Sequence, residues 1–295
     1  MILVLDKPGG MTSQRAVSRV RRLLPNREKA GHTGTLDPMC TGVLPILTGA
    51  DTRLADLFEK KKEYVASALL GVRTDTGDVT GTVLRTASVT CGEPEIREAL
   101  RSLCGTQIQI PPMYSAVRVN GHHLYELARQ GIVAERAGRE ITVYETEFLG
   151  REGNSIRFRV VCSAGTYIRT LCEDLGEKLG TEGTMESLRR TLSNGFSLCR
   201  AHTLEELEQA AAEGTLRNLS LSAEECFGFC PCVTVPENGR VYFCNGGEIA
   251  RSRLSGDAIP DRLLRAYAED GTFLALAHIK ENGLKAVWVR RDPTE

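Results

Sequence analysis

The residues best placed to do chemistry lie in Gly31-His32-Thr33-Gly34-Thr35-Leu36-Asp37-Pro38-Met39-Cys40-Thr41-Gly42. Three glycines and a proline in twelve residues read as a loop, and glycine lets a backbone come close to a ligand. The segment holds one carboxylate, Asp37, and one imidazole, His32. A carboxylate can serve as nucleophile or base, and an imidazole is a titratable flat ring. Each also has a plainer reading. Asp37 can be a turn former ahead of Pro38, and His32 a hydrogen-bonded loop histidine.

The flanking pattern predicts the elements that hold this loop. Ile2–Leu5 reads as a strand and Lys7-Pro8-Gly9-Gly10 as a turn. Thr12 or Ser13 can cap a helix whose apolar stripe is Ala16, Val17, Val20, Leu23 and Leu24, with Arg15, Arg19, Arg21 and Arg22 opposite. Val43–Leu47 reads as a strand, Asp51 opens a short helix ending in Lys60, Lys61 and Lys62, and Glu63–Val72 is a strand. Glu93–Leu103 and Thr166–Leu179 read as helices. Strands are expected at 107–110, 116–119, 141–148, 155–162 and 187–192. Thr203 and Glu206 form a capping box for an acidic helix. After Gly228, short Val- and Phe-rich runs alternate with Asn-Gly, Gly-Gly and Asp-Gly turns, an all-β texture. The expectation is α+β: a mixed, largely antiparallel sheet with flanking helices over residues 1–227, and a small β-rich domain over 228–295.

Composition sets outer bounds. With 41% hydrophobic and 25% charged residues the chain is of ordinary globular type. It has no apolar run long enough to span a membrane. The N-terminal apolar run is too short for a signal peptide and lacks a basic leader, so a cytoplasmic protein is expected, with its ten cysteines as free thiols. Net charge is -1, but residues 1–62 carry +5 and residues 201–226 carry -5. A local basic surface for phosphates is therefore compatible with a neutral total. There is no phosphate-binding Gly-x-x-x-x-Gly-Lys, no Gly-x-Gly-x-x-Gly after a strand, no Gly-x-Ser-x-Gly and no His-Glu-x-x-His. Cys226, Cys230, Cys232 and Cys244 raise a zinc alternative, but they lack the repeated Cys-x-x-Cys spacing. No metal is expected.

The loop from Gly31 resembles the catalytic motif of bacterial tRNA pseudouridine-55 synthases, the TruB type. Other blocks support the resemblance in order: Leu5-Asp6-Lys7-Pro8 with Met11-Thr12-Ser13, Lys62-Glu63-Tyr64, Gly71-Val72-Arg73-Thr74-Asp75-Thr76-Gly77-Asp78, Pro111-Pro112-Met113-Tyr114-Ser115-Ala116, Cys162-Ser163-Ala164-Gly165-Thr166-Tyr167-Ile168-Arg169, and Leu188-Arg189-Arg190. Cys40 departs from the more usual alanine. The tail is similar to the family's PUA-type RNA-binding domain. Arg73-Thr74-Asp75 also looks like the catalytic triplet of a different pseudouridine synthase family, but the residues that follow do not match, and Asp75 reads as a turn residue.

The resemblance implies isomerisation of a uridine in the tRNA T-stem-loop, an internal rearrangement that requires no cofactor. It makes Asp37 the catalytic carboxylate, Arg169 its partner, and Tyr64 the ring that stacks on the target base and helps move the C5 proton. Tyr167 and Leu188 would line the base pocket, and His32 would fill the space vacated by the flipped base. Lys7 and Pro8 would support the loop. Without the resemblance Tyr64, Tyr167 and Leu188 read as core, and Arg169 as a surface residue on a first helical turn. Arg15, Arg19, Lys60, Lys61 and Lys62 are candidates for RNA phosphates or plain solvated surface. A guide-RNA-dependent relative is disfavoured by Thr33, where that type has Ser, and by the lack of long basic extensions. A monomer acting without guide RNA or membrane is expected. The rival class is a tRNA-folding protein in which the carboxylate is dispensable.

Overall fold

The computed structural model describes residues 1–119, 121–256 and 259–290. The chain order is β1 (Ile2–Lys7), α1 (Ser13–Leu23), β2 (Ala30–His32), β3 (Thr41–Thr48), β4 (Lys61–Leu70), β5 (Val72–Thr74), β6 (Val83–Thr86), α2 (Glu93–Ser102), β7 (Gly105–Gln109), β8 (Arg118–Val119), β9 (His122–His123), α3 (Leu124–Arg129), β10 (Arg139–Glu152), β11 (Ser155–Ser163), α4 (Ile168–Lys178), β12 (Gly183–Ser193) and β13 (Phe196–Ser197). Then come α5 (Leu204–Ala212), α6 (Ala223–Cys226), β14 (Cys232–Val235), α7 (Glu237–Cys244), β15 (Ser255–Gly256), β16 (Leu264–Ala268), β17 (Phe273–Lys280) and β18 (Gly283–Val289).

A nine-stranded sheet runs β1-β3-β12-β4-β11-β10-β7, with β2 beside β3 and β13 beside β12. All its pairings are antiparallel except β3 with β12. β4 sits in the middle, and every second residue is buried: Lys62, Tyr64, Ala66, Ala68, Leu70. Strand periodicity therefore puts Lys62 and Tyr64 on one face. α2 and α4 cover that face through Ile96, Leu100, Leu171 and Leu175, packed on Ile156 and Phe158. α1 and α5 cover β1 and β3 through Val17, Val20, Leu204 and Leu207. Thr12 caps α1 by accepting from the Arg15 amide, and Thr203 and Glu206 cap α5 reciprocally.

A separate five-stranded sheet, β15-β14-β16-β17-β18, forms the C-terminal unit. Its Phe273, Leu276 and Trp288 join Ile2, Val4, Phe58, Phe196 and Phe227 in one apolar cluster. The two sheets are thus tied by buried aromatic area.

The fold class expected from the sequence holds, with local corrections. Residues 30–32 and 41–42 belong to strands, so the irregular part of the loop is 33–40. The segment after Asp51 is 3₁₀ rather than α, and Lys61 and Lys62 begin β4 instead of ending a helix. The expected strand at 116–119 shrinks to a two-residue ladder. The all-β texture after Gly228 hides α7, whose Gly239 and Phe243 pack inward. Residues 291–295 of the expected second domain lie outside the described residues, as do Asn120, Asp257 and Ala258.

Gly42 is required where β3 meets β12. Its φ is +106°, and a Cβ there would stand 2.1 Å from the Arg190 carbonyl oxygen. Gly42→Ala is expected to lower stability by more than about 3 kcal/mol, through backbone strain plus overpacking, as a fall in the urea midpoint at constant slope.

Candidate active site

Asp37 stands on the 33–40 loop, and its carboxylate meets Arg169 from the first turn of α4. Gly165, at φ +88°, turns the chain from β11 into α4. Arg169 Nε donates to Asp37 Oδ2 at 3.0 Å, Nη1 to the Thr76 carbonyl at 2.9 Å and Nη2 to the Tyr114 carbonyl at 2.8 Å. The guanidinium side chain is 5% exposed and the carboxylate 35%. Arg169 is thus a fixed buried fork, and Asp37 is its opening to solvent.

Buried polar groups from distant segments hold the loop. Lys7 Nζ donates to the carbonyls of Pro8, Met11 and Pro38. Ser13 Oγ donates to the Leu36 carbonyl at 2.9 Å, and the Leu36 amide donates back to Ser13 Oγ at 2.8 Å. Arg190, fully buried, donates to Val43, Thr35 and Gly34 carbonyls. Thr33 Oγ1 donates to Asn194 Oδ1 at 2.8 Å.

The carboxylate opens onto a cleft of about 230 Å³ lined by Leu36, Lys62, Tyr64, Tyr167, Ile168, Met185 and Leu188 among others. The side chains expected to surround a base are therefore together: Asp37, Tyr64, Arg169, Tyr167 and Leu188. His32 is not among the lining residues. Its ring stands on β2 with Nδ1 buried and unpartnered, and burial, then Arg190 and Lys62, depress its pKa and hold it neutral. Gln109 was not legible from sequence. It pins Tyr167 by donating to its carbonyl and accepting from its amide; the only cue was a polar residue at a strand end.

Electrostatics distinguish the carboxylate from the phenol. Burial raises the Asp37 pKa above the ordinary carboxylate value; Arg169 and Lys7 oppose it, while Asp78 adds to it. Burial pushes the Tyr64 phenol up to about 12, so it is neutral at physiological pH. Asp75 is an exposed turn residue whose Oδ1 accepts from the Thr82 amide at 2.7 Å.

The five basic residues expected to face phosphates diverge. Arg15 is exposed, Arg19 pairs with Glu208 of α5, and Lys60 pairs with Asp56. Lys61 lies over the Tyr144 ring at 5.6 Å. Lys62 is buried in the cleft wall. The Arg19–Glu208 pair shows that part of the basic and acidic charge does meet in space. Cys226 and Cys230 belong to the inter-sheet cluster, whereas Cys244 packs on the C-terminal sheet. Among the described residues no three His, Cys, Asp or Glu side chains gather as a metal site.

The mixed sheet agrees with the comparisons. The model of the TruB family pseudouridylate synthase N-terminal domain matches residues 21–168, and that of the tRNA pseudouridylate synthase B C-terminal domain matches 169–227. The chain belongs to the TruB family of pseudouridylate synthases. It is 42% identical over 286 residues to tRNA pseudouridine synthase B of Pseudomonas fluorescens, covering 96% of this chain and 92% of that one. It is 41% identical over 287 residues to the enzyme of that name from Clostridium kluyveri, covering 97% and 98%. Among solved structures, a Cbf5-Nop10-Gar1 complex matches with TM-score 0.72 and 28% identity, over 99% of this chain and 83% of that chain. An H/ACA RNP bound to a substrate RNA containing 2'-deoxyuridine matches with TM-score 0.70 and 27% identity, over 99% and 83%. No described helix is long and apolar enough to cross a membrane.

Proposed function

We propose that this chain converts uridine 55 of the tRNA T-loop to pseudouridine, with Asp37 as the catalytic carboxylate. The observation that carries this reading is the 3.0 Å Asp37–Arg169 pair at the opening of a cleft walled by Tyr64, Tyr167 and Leu188. The reaction breaks the bond between C1' and N1, turns the uracil, and joins C1' to C5; C5 loses a proton and N1 gains one. Atoms balance without a co-reactant. The carboxylate acts at the sugar or the base, and Arg169 stabilises its ionised form against burial. A base stacked inside an RNA loop must be extruded to reach this cleft. His32, kept neutral, offers a flat ring for the vacated space.

Incubation of the protein with an unmodified T-stem-loop RNA, without guide RNA, is expected to give pseudouridine at that one position on chemical mapping. Absence of product there would overturn the reading. Tyr64 tests the cleft itself. Its phenol is neutral and suited to relaying a proton, so Tyr64→Phe is expected to lower single-turnover kcat by about 10²-fold with KM little changed. Undiminished turnover would remove the hydroxyl from the reaction.

A further inference from the structure

Among the described residues Lys62 has no counter-ion. Its side chain lies in the cleft wall at 9% exposure, on the Tyr64 face of β4. The charged and titratable groups coupled to it are Arg190, Cys162, Lys60 and His32; no carboxylate is among them. Among the described residues its side chain makes no ion pair or hydrogen bond. Its ammonium and the Arg190 guanidinium flank Gly34: a Cβ built there would stand 2.8 Å from Lys62 Nζ and 3.7 Å from Arg190 Nη1. Arg190 directs its donors into the Val43, Thr35 and Gly34 carbonyls. Lys62 directs its three to none.

Holding an unpaired ammonium where only its tip reaches the cleft leaves it poorly solvated and opposes folding. The arrangement is intelligible when a ligand supplies the missing anion. A uracil carbonyl is neutral and offsets the charge weakly, whereas a phosphate oxygen forms a charge-assisted hydrogen bond. Two residues of strand separate Lys62 from Tyr64 by about 6.6 Å, comparable to the reach from a nucleotide's phosphate to its base.

We propose that Lys62 is the anion-binding group of the cleft: its ammonium takes the backbone phosphate adjoining the nucleotide that enters against Tyr64. This rests on the function proposed above. It separates Lys62 from a surface lysine, because the phosphate it holds is one specific linkage inside the cleft.

The test uses T-stem-loop RNAs in which single linkages around the target uridine are replaced by neutral methylphosphonates. With the wild-type protein, one replaced linkage is expected to weaken binding roughly 10- to 100-fold. With Lys62→Met that same replacement is expected to have no further effect, and the slope of log affinity against log salt is expected to fall by about 0.7 to 0.9 for the one lost phosphate contact. Lys62→Arg is expected to restore both readouts in part. Pseudouridine formation by the wild-type protein on the unsubstituted RNA reads the function separately. If that product forms but no linkage is sensitive, the inference fails while the function stands. An unchanged salt slope in a folded Lys62→Met protein overturns it equally. The linkage series needs no variant, so the inference stays testable if Lys62→Met does not fold.

Discussion

Asp37→Asn is expected to remove about 10⁴-fold or more of single-turnover activity while leaving binding of T-loop RNA largely intact. The substitution is nearly isosteric. An Asn oxygen can still accept from Arg169 Nε, and the contacts that hold the loop do not involve the carboxylate: Ser13 with Leu36, and Lys7 with Pro38. What is lost is the negative charge, and with it the nucleophile or base. Asp75→Asn is the matched control, because Asp75 serves only the Thr82 turn and an Asn oxygen can accept the same amide; near-normal turnover is expected. Rate measurements on mapped product, paired with filter binding, check both. Retained activity in Asp37→Asn would remove Asp37 from the catalytic role, whereas RNA binding without product in the unaltered protein would favour the tRNA-folding class.

Arg169→Met is expected to lower kcat by about 10²- to 10³-fold at neutral pH and to move the acid limb of the kcat profile upward. The sign follows from the opposing forces. Burial raises the Asp37 pKa, and Arg169 is the largest group pulling it down. Without the guanidinium, burial acts with less opposition, and a higher pH is needed to ionise the carboxylate. The same change appears in stability. A raised folded pKa means that ionising Asp37 opposes folding as pH rises through that value, so the variant's deficit is larger at neutral pH than in acid. The Thr76 and Tyr114 carbonyls also lose their donors. About 1–3 kcal/mol of destabilisation is expected from these two part-buried acceptors. Urea unfolding at several pH values and a kcat–pH profile test these points. A lower kcat with an unmoved acid limb would assign Arg169 to positioning alone.

The position of Lys62 shows where sequence reading can go further than counting charge. In Lys60-Lys61-Lys62 three identical side chains meet three environments: solvent with Asp56, the Tyr144 ring, and the cleft. Strand parity distinguishes them once β4 is known to start at Lys61. Assigning the run to a helix end hides that distinction.

The sequence by itself determined the main elements, because they depend on local rules. The apolar stripe and Thr12 cap define α1, alternation defines β11, and Thr203 with Glu206 starts α5. It also determined the loop that carries Asp37, since glycines and a proline around one carboxylate form a local signal. Only tertiary structure decided which further polar residues serve that loop and its cleft. Ser13 and Arg190 reach the loop, and Gln109 reaches Tyr167, across chain separations of 23 to 156 residues. Such contacts leave no periodicity to read, because a buried charge is stabilised by whichever carbonyls the packed sheet brings to it. For the same reason α7 escaped notice: its eight residues take their helical form from packing on the C-terminal sheet, in a sequence with the turn-rich texture of strands.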